Sequence, residues 1–552
     1  MARRHLLFIV VFAATAVPAI AAGHGGDRKL DAALRVRARE GQGTSRVIVE
    51  TTDGSPADRL IAAVAGTPGR RLPLMRGQVA EVPDAALEAL ADDPHIAALS
   101  LDRPVAGTME RTGATTGATW TRAHLGVDGS GIGVALIDSG VTSWHDDLGS
   151  DRVVHFVDFV DFQPLAYDDY GHGTHVAGII AGSGYDSNGA RTGMAPGASL
   201  VVLKVLDGDG NGYISNVIAA LDYAVQNRAR FNIRVINLSV AAGVYASYDT
   251  DPLTLAARRA VEAGIVVVTA AGNFGRDAKG QPQYGGITSP GNAPWVLTVG
   301  ASTHKGTISR KDDEIAPFSS RGPSYIDYAA KPDLVAPGVG IESLADGSSL
   351  LFTTHPQARL WGTVNTVTQP YLSLSGTSMS APVVAGTVAL MLQANPALTP
   401  NLVKAILQYT AEHRSGYDDL TQGAGFLNAR GAVQLAKSFA ADPNAPAVAK
   451  DPTPWNAHIN WGNHRIGGGV LNPDANAWRT DVMWGASTTT AGDHITWGTV
   501  CGSDCDSIIR GSVAGMGTVW GTSCAGTSCG DVVWSTTAGS DASEIVWDRS
   551  RR

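Results

Sequence analysis

Between Ala118 and about Lys437 the chain alternates near-continuous apolar, β-branched runs with segments of helical period, a pattern open to few folds. The runs are Gly133–Ile137, Leu200–Leu206, Val235–Leu238, Ile265–Thr269 and Trp295–Val299. A strand with one wet face alternates apolar and polar residues. These runs do not, so both faces must be covered, as in a parallel sheet whose crossovers are helices. The helices can be read between them. Ser215–Asn227 places Val217, Leu221, Ala224 and Val225 on one stripe, and Leu255–Ala263 has the same pattern. An α/β domain is predicted over 118–438.

The flanks differ from this centre. Arg3, Arg4 and His5 precede the apolar run Leu6–Val17 and the small residues Ala19–Ala22, the order of a secretory signal peptide over 1–22. Twelve apolar residues are too few to span a bilayer, which takes about 20, so export without a membrane span is expected: secreted, in the periplasm or at the cell surface. Residues 28–105 hold short elements, a strand at Arg46–Glu50 and a helix at Ala85–Ala91, as in a small α+β domain. Residues 439–455, with Pro443, Pro446, Pro452 and Pro454, read as an extended linker. With 42 Lys and Arg against 51 Asp and Glu, the net charge of -9 gives no basic surface for nucleic acid.

Three segments carry chemistry. They are Val134-Ala-Leu-Ile-Asp138-Ser-Gly140, Gly171-His172-Gly-Thr-His175-Val-Ala-Gly178, and Leu374-Ser-Gly-Thr-Ser378-Met-Ser-Ala-Pro382 running into the apolar helix Val383–Leu392. A hydroxyl is a weak nucleophile; it needs an imidazole to take its proton, and the imidazole needs a carboxylate to fix its tautomer. Ser378, His172 and Asp138 supply those three groups. In this order the segments resemble the subtilisin-like serine peptidases from Gly126 to about Ala436. The resemblance implies a subtilisin-like parallel sheet flanked by helices, a Ser-His-Asp mechanism through an acyl-enzyme with no catalytic cofactor, and protein or peptide substrates.

The same resemblance implies an oxyanion donor at Asn273, in Ile265-Val-Val-Val-Thr-Ala-Ala-Gly272-Asn273, beside the backbone N–H of Ser378 at its helix start. It implies substrate contacts at Ser239, Val240, Ala241 and Gly272, with Asp207–Gly212 forming another wall of the cleft. Here the chain departs from the family, which usually has two Gly where Ala241 and Ala242 stand. Two added methyl groups narrow or reshape the first specificity pocket. Residues 28–105, ending in the edge-like run Ile96–Leu101, resemble the family's inhibitory propeptide, with cleavage expected between Asp102 and Thr121. A permanent N-terminal domain is the other reading.

Structural calcium is the one metal implied, at Asp146 and Asp147, against the plainer reading of two solvated carboxylates. His172 and His175 lack the Glu of a His-Glu-x-x-His zinc site, so His175 is read as a packed helix residue. Asp207, Asp209 and Asn211 imitate a calcium loop, but its twelfth position is Ile218 where a Glu is required. Gly129-Ser-Gly131-Ile-Gly133 precedes a strand instead of following one, so it is not a dinucleotide site.

From Asn456 onward a Trp unit recurs at Trp461, Trp484, Trp497, Trp520, Trp534 and Trp547, each with Ile, Val or Thr two residues before the Trp. Side chains two apart share a strand face, so 456–552 is predicted to be an all-β region. Its Trp rows either pack or bind a cell-surface polymer or protein. All four Cys (501, 505, 524, 529) lie there, and in an exported chain they suggest two disulfides of open connectivity. The expected whole is a secreted serine endopeptidase, self-processed from a zymogen. The rivals are an exopeptidase of the same fold, with residues 343–372 capping the cleft, and an adhesion protein on a catalytically silent scaffold.

Overall fold

The computed structural model describes residues 29–72, 76–101, 109–277, 279–364, 370–442, 453–461 and 464–467. The expected signal peptide, the four Cys and all Trp units after the first lie outside them. The chain divides into two compact units, Met1–Ala106 and Gly107–Arg552.

The first unit follows the order α1 (Ala32–Glu40), β1 (Thr44–Thr51), α2 (Asp58–Ala63), β2 (Thr67–Leu72), β3 (Gly77–Pro83), α3 (Leu87–Asp92) and β4 (Ile96–Leu101). The strands form an antiparallel sheet in the order β2-β3-β1-β4. Alternation in β1 turns Val47 and Val49 inward, where they meet Leu34, Ile61, Leu87, Leu90, Ile96 and Leu99 in one core. This is the expected α+β arrangement, and β4 ends the sheet order, with Leu30 bridged to Leu99 on its outer side.

The second unit opens with α4 (Met109–Thr116) and α5 (Ala118–Leu125), nine residues before the predicted start. The reason is burial: Thr112, Thr115 and Thr116 are packed away, and Arg310 donates to the Thr115 carbonyl at 2.8 Å. There follow β5 (Gly133–Asp138), α6 (Gly149–Arg152), β6 (Val153–Asp158), α7 (His172–Ala181), β7 (Ser199–Lys204), α8 (Ile214–Gln226), β8 (Ile233–Leu238), α9 (Pro252–Glu262), β9 (Val266–Ala270), β10 (Leu297–Thr303), β11 (Glu314–Ile315) and β12 (Leu334–Pro337). The sheet runs β10-β9-β8-β5-β7-β6, all parallel, with β12 parallel and β11 antiparallel to β10.

Both faces of the central strands β5, β7, β8 and β9 are dry, which is why they read as near-continuous apolar runs. Val134, Leu136, Leu200, Val202 and Val268 face one core, shared with α7 and with α11 (Thr377–Ala394). Ala135, Ile137, Val201, Leu203 and Val267 face the other, under α8 and α9. Helix α9 begins at Pro252, three residues before the predicted start, because Asp251 caps it by accepting from Leu253 and Thr254 N–H. Among the described residues α11 is the one helix long and apolar enough to cross a membrane, and it is the central core helix of this unit. Between β12 and α11 lies a smaller antiparallel sheet, β13 (Ile341–Leu344), β15 (Pro370–Leu374) and β14 (Arg359–Trp361), with α10 (Leu350–Thr354) beside it.

The last described elements of the unit are α12 (Pro400–Thr410), α13 (Asp419–Gln422), α14 (Ala429–Ala441) and the hairpin β16 (His458–Trp461) and β17 (His464–Gly467). Two expected boundaries move here. Phe439 is a buried residue of α14, not the start of a linker. The first Trp unit docks on the core of the second unit: Asn456 N–H donates to the Ala411 carbonyl at 2.8 Å, Ala457 N–H to that of Tyr409 at 3.0 Å, and Ile459 is buried.

Candidate active site

Asp138 closes β5, the strand at which the winding order reverses: β7 pairs one side of it and β8 the other. A reversal of this kind opens a crevice at the carboxyl ends of the strands. Asp138 is fully buried there, and its Oδ1 accepts from Ser139 N–H at 2.8 Å and faces His172 Nδ1 at 2.7 Å. His172 is the first residue of α7, turned inward by Gly171, whose φ of 99° suits glycine. Because Nδ1 faces a carboxylate, it carries the proton, and Nε2 is left as a base. Burial lowers the proton affinity of His172, but the charge and hydrogen bond of Asp138, with the charge of Asp168, outweigh it and hold the imidazole above its ordinary value.

Ser378 is the second residue of α11 and is tied to the end of β8 by a reciprocal pair. Its hydroxyl donates to the Ser239 carbonyl at 3.1 Å, and the Ser239 hydroxyl donates to the Ser378 carbonyl at 2.9 Å. The Ser378 hydroxyl is thus directed at Ser239 in this structure, and its proton must leave that carbonyl before it can pass to an imidazole.

Asn273 follows Gly272, whose φ of 103° makes the turn after β9. The amide oxygen of Asn273 accepts from both the N–H and the hydroxyl of Thr377, each at 3.0 Å. Two donors on Oδ1 fix the amide, so Nδ2 points the other way. A methyl carbon placed on Gly376 would sit 3.5 Å from Asn273 Nδ2 and 3.7 Å from Ser378 N, so both donors flank one small space. Thr377 lies inside a recognised motif, yet its work of holding Asn273 is invisible without the turn at Gly272.

A cleft of about 400 Å³ adjoins His172, and Ser239, Val240, Ala241 and Ala242 form one wall while Gly210, Asn211 and Gly212 belong to another. Asp207 stiffens that second wall by accepting from Asp209 and Asn211 N–H at 3.0 and 2.8 Å. Gly272 is buried, and its N–H donates to the Thr377 hydroxyl at 3.2 Å. The segment 343–372 does not line the cleft among the described residues. It braces the stretch before His172 instead, with Leu350 and Leu351 N–H donating to the Asp169 and Tyr170 carbonyls at 2.8 and 3.0 Å.

The calcium expectation is corrected in part. Asp146 is exposed and Asp147 fully buried, so the two do not form one site. The Asp147 carboxylate accepts from the Tyr371 hydroxyl and from Asp186 N–H, both at 2.7 Å, and its oxygens lie within 4.8 Å of ligand atoms of buried His145 and Asp186. His175 is buried with Nε2 against the Ile341 and Leu372 carbonyls. Burial, then the nearby charge of His172, pushes its proton affinity down to about 3, so it packs as a neutral ring.

Residues 129–432 match the Subtilase family. The chain is 37% identical over 361 residues to a serine protease, AprX, of Bacillus subtilis, covering 64% of this chain and 78% of that one. It is 32% identical over 393 residues to an extracellular serine proteinase of a Thermus species, covering 69% and 80%. With subtilisin DY of Bacillus licheniformis it is 33% identical over 309 residues, covering 56% and 93%.

Proposed function

The chain belongs to the subtilase family of serine proteases, and from that premise we propose a secreted endopeptidase in which Ser378 is the nucleophile, His172 the proton carrier and Asp138 the group that holds His172. The 2.7 Å approach of His172 Nδ1 to Asp138 Oδ1 carries the reading. In the first step Ser378 Oγ leaves the Ser239 carbonyl and bonds to the scissile carbon while its proton passes to His172 Nε2. The substrate carbonyl oxygen becomes an oxyanion in the space flanked by Ser378 N–H and Asn273 Nδ2, donors worth about 3 to 4 kcal/mol each when preorganised. Collapse breaks the C–N bond, the His172 proton goes to the leaving amine, and an ester on Ser378 remains. Water then attacks the ester, gives its proton to His172, and the second collapse returns a proton to Ser378 Oγ.

A cleft with no described residue of 343–372 among its lining residues favours internal over terminal cutting. Mapping the products of a long unlabelled peptide tests this: internal cuts are expected, and release of terminal residues alone would favour the exopeptidase. Ala241 and Ala242 on the cleft wall favour small side chains at the first pocket. Residues 28–105 are proposed as an inhibitory propeptide following a signal peptide over 1–22. The burial of Thr112, Thr115 and Thr116 argues for processing at 102–108, before α4. The His145, Asp147 and Asp186 group does not fit calcium, which takes oxygen ligands, because His145 offers ring nitrogens already engaged by Asp147 N–H and the Pro370 carbonyl.

A further inference from the structure

We propose that Asp168 is a positioning residue of this site, whose buried carboxylate ties the start of α7 to Ser139 and so holds the His172–Asp138 pair. The inference rests on the proposed catalytic role of that pair. Asp168 is 1% exposed, and its carboxylate hydrogen-bonds to neither the imidazole nor the nucleophile. Its Oδ1 accepts from the Ser139 hydroxyl at 2.8 Å and from Gly171 N–H at 2.7 Å; its Oδ2 accepts from Thr174 N–H at 2.7 Å and from the Thr174 hydroxyl at 2.6 Å. Gly171 and Thr174 bracket His172, so one carboxylate fixes the backbone on both sides of it.

The network returns to Asp138 through its neighbour. The Ser139 hydroxyl accepts from Gly173 N–H at 2.8 Å, and Ser139 N–H donates to Asp138 Oδ1 at 2.8 Å. Lys204, at the matching end of β7, fixes Ser139 from below by donating to its carbonyl at 2.7 Å while also binding Asp169 and the Leu206 carbonyl. Every hydrogen-bonding direction of the Asp168 carboxylate is filled by a donor, and Thr174 Oγ1 in turn accepts from Thr142 N–H at 2.9 Å. A helix start with free N–H groups favours an anion, which adds to the fit.

Substituting Asn is informative because it nearly preserves shape. Whichever way its amide turns, the NH2 group meets a backbone N–H, of Gly171 or of Thr174, and neither can rotate away. The charged or titratable groups around the imidazole are Asp138 on β5, Asp168 before α7, His175 on α7 and Tyr170, whose ring centre lies 6.3 Å from that of His172. Burial pushes the Asp168 carboxyl up while its four donors oppose this, and the carboxylate is the form its filled geometry supports. Its charge raises the proton affinity of His172, so removing it lowers that affinity.

The test compares full-length wild type, Asp168→Asn and Ser139→Ala on a quenched fluorogenic peptide cleaved by wild type, with active sites counted by a fluorophosphonate. The expected result for Asp168→Asn is a kcat lowered 10- to 100-fold, the scale of a misplaced catalytic group, with KM within twofold and the acid limb of kcat/KM moved to lower pH. Ser139→Ala changes kcat in the same direction by a smaller factor. Asp168→Asn with wild-type kcat per active site and an unmoved acid limb overturns the role. If that variant does not fold, Ser139→Ala with both quantities unchanged overturns it. Wild type that cleaves no peptide overturns instead the activity on which the role rests.

Discussion

Thr377 gives both its backbone N–H and its hydroxyl to Asn273 Oδ1, each at 3.0 Å, and so aims the other end of that amide at the space beside Ser378 N. The arrangement costs nothing at the moment of reaction because the donor is already fixed.

Asn273→Ala is expected to lower kcat about 100- to 1000-fold, the general cost of removing one oxyanion donor, with the unfolding midpoint little changed. Steady-state kinetics together with urea unfolding check it; an unchanged kcat would remove Asn273 from the mechanism.

Gly272→Ala is expected to destabilise the fold by about 1 to 3 kcal/mol. The residue has φ 103°, and an added methyl would lie 2.8 Å from Thr288 Cγ2 and 2.9 Å from Ser320 Oγ. Urea unfolding of the Ser378→Ala form, which cannot digest itself, measures this, and kcat should fall as well because the turn places Asn273.

The rate should fall as pH drops, because protonated His172 cannot accept a proton. With burial outweighed by Asp138 and Asp168, the acid limb of kcat/KM is expected above the ordinary imidazole value of about 6.5. Asp138→Asn should move it down and lower kcat about 10⁴-fold. The stability sign is the reverse of the activity sign: folding raises the affinity of His172 for its proton, so this contribution is full below the unfolded pKa and is lost as pH rises through the folded one.

A second buried cluster bears on stability alone. Asp333 sits between Lys331 at 2.9 Å and Lys404 at 2.7 Å, all three buried, and burial lowers both lysines. Asp333→Ala strands two ammonium groups and should cost about 3 to 5 kcal/mol in urea unfolding. Lys404→Met removes the surplus cation and should cost less than half as much; equal costs would contradict this pairing.

The central strands were legible because being covered on both faces leaves Val134–Ile137 apolar throughout and Val235–Leu238 apolar but for the buried Asn237. Strand β6 was not, since Val153–Asp158 is an edge whose His155 and Asp158 break the pattern. Asp138, His172 and Ser378 stood out because their segments are long and resemble a known family, and the structure brings His172 against Asp138 while leaving the Ser378 hydroxyl on Ser239. Asp168 and Asp186 carried no such signal, and Thr377, though inside the Ser378 segment, carried none for its own role. Each acts through a partner distant in sequence, Ser139, Asp147 and Asn273 respectively, and side-chain type alone does not reveal a meeting across 29 to 104 positions. For the same reason Asp146 and Asp147 looked alike in sequence and part company in the fold.

Every proposed bond change passes through Ser378. Wild type and Ser378→Ala, incubated with a denatured protein mixture and compared by the new peptide termini each creates, measure its role most directly. Abundant internal termini from wild type, fewer by at least about 10³-fold with Ser378→Ala, are the predicted result. Equal cleavage by the two proteins, or none by wild type, would contradict it.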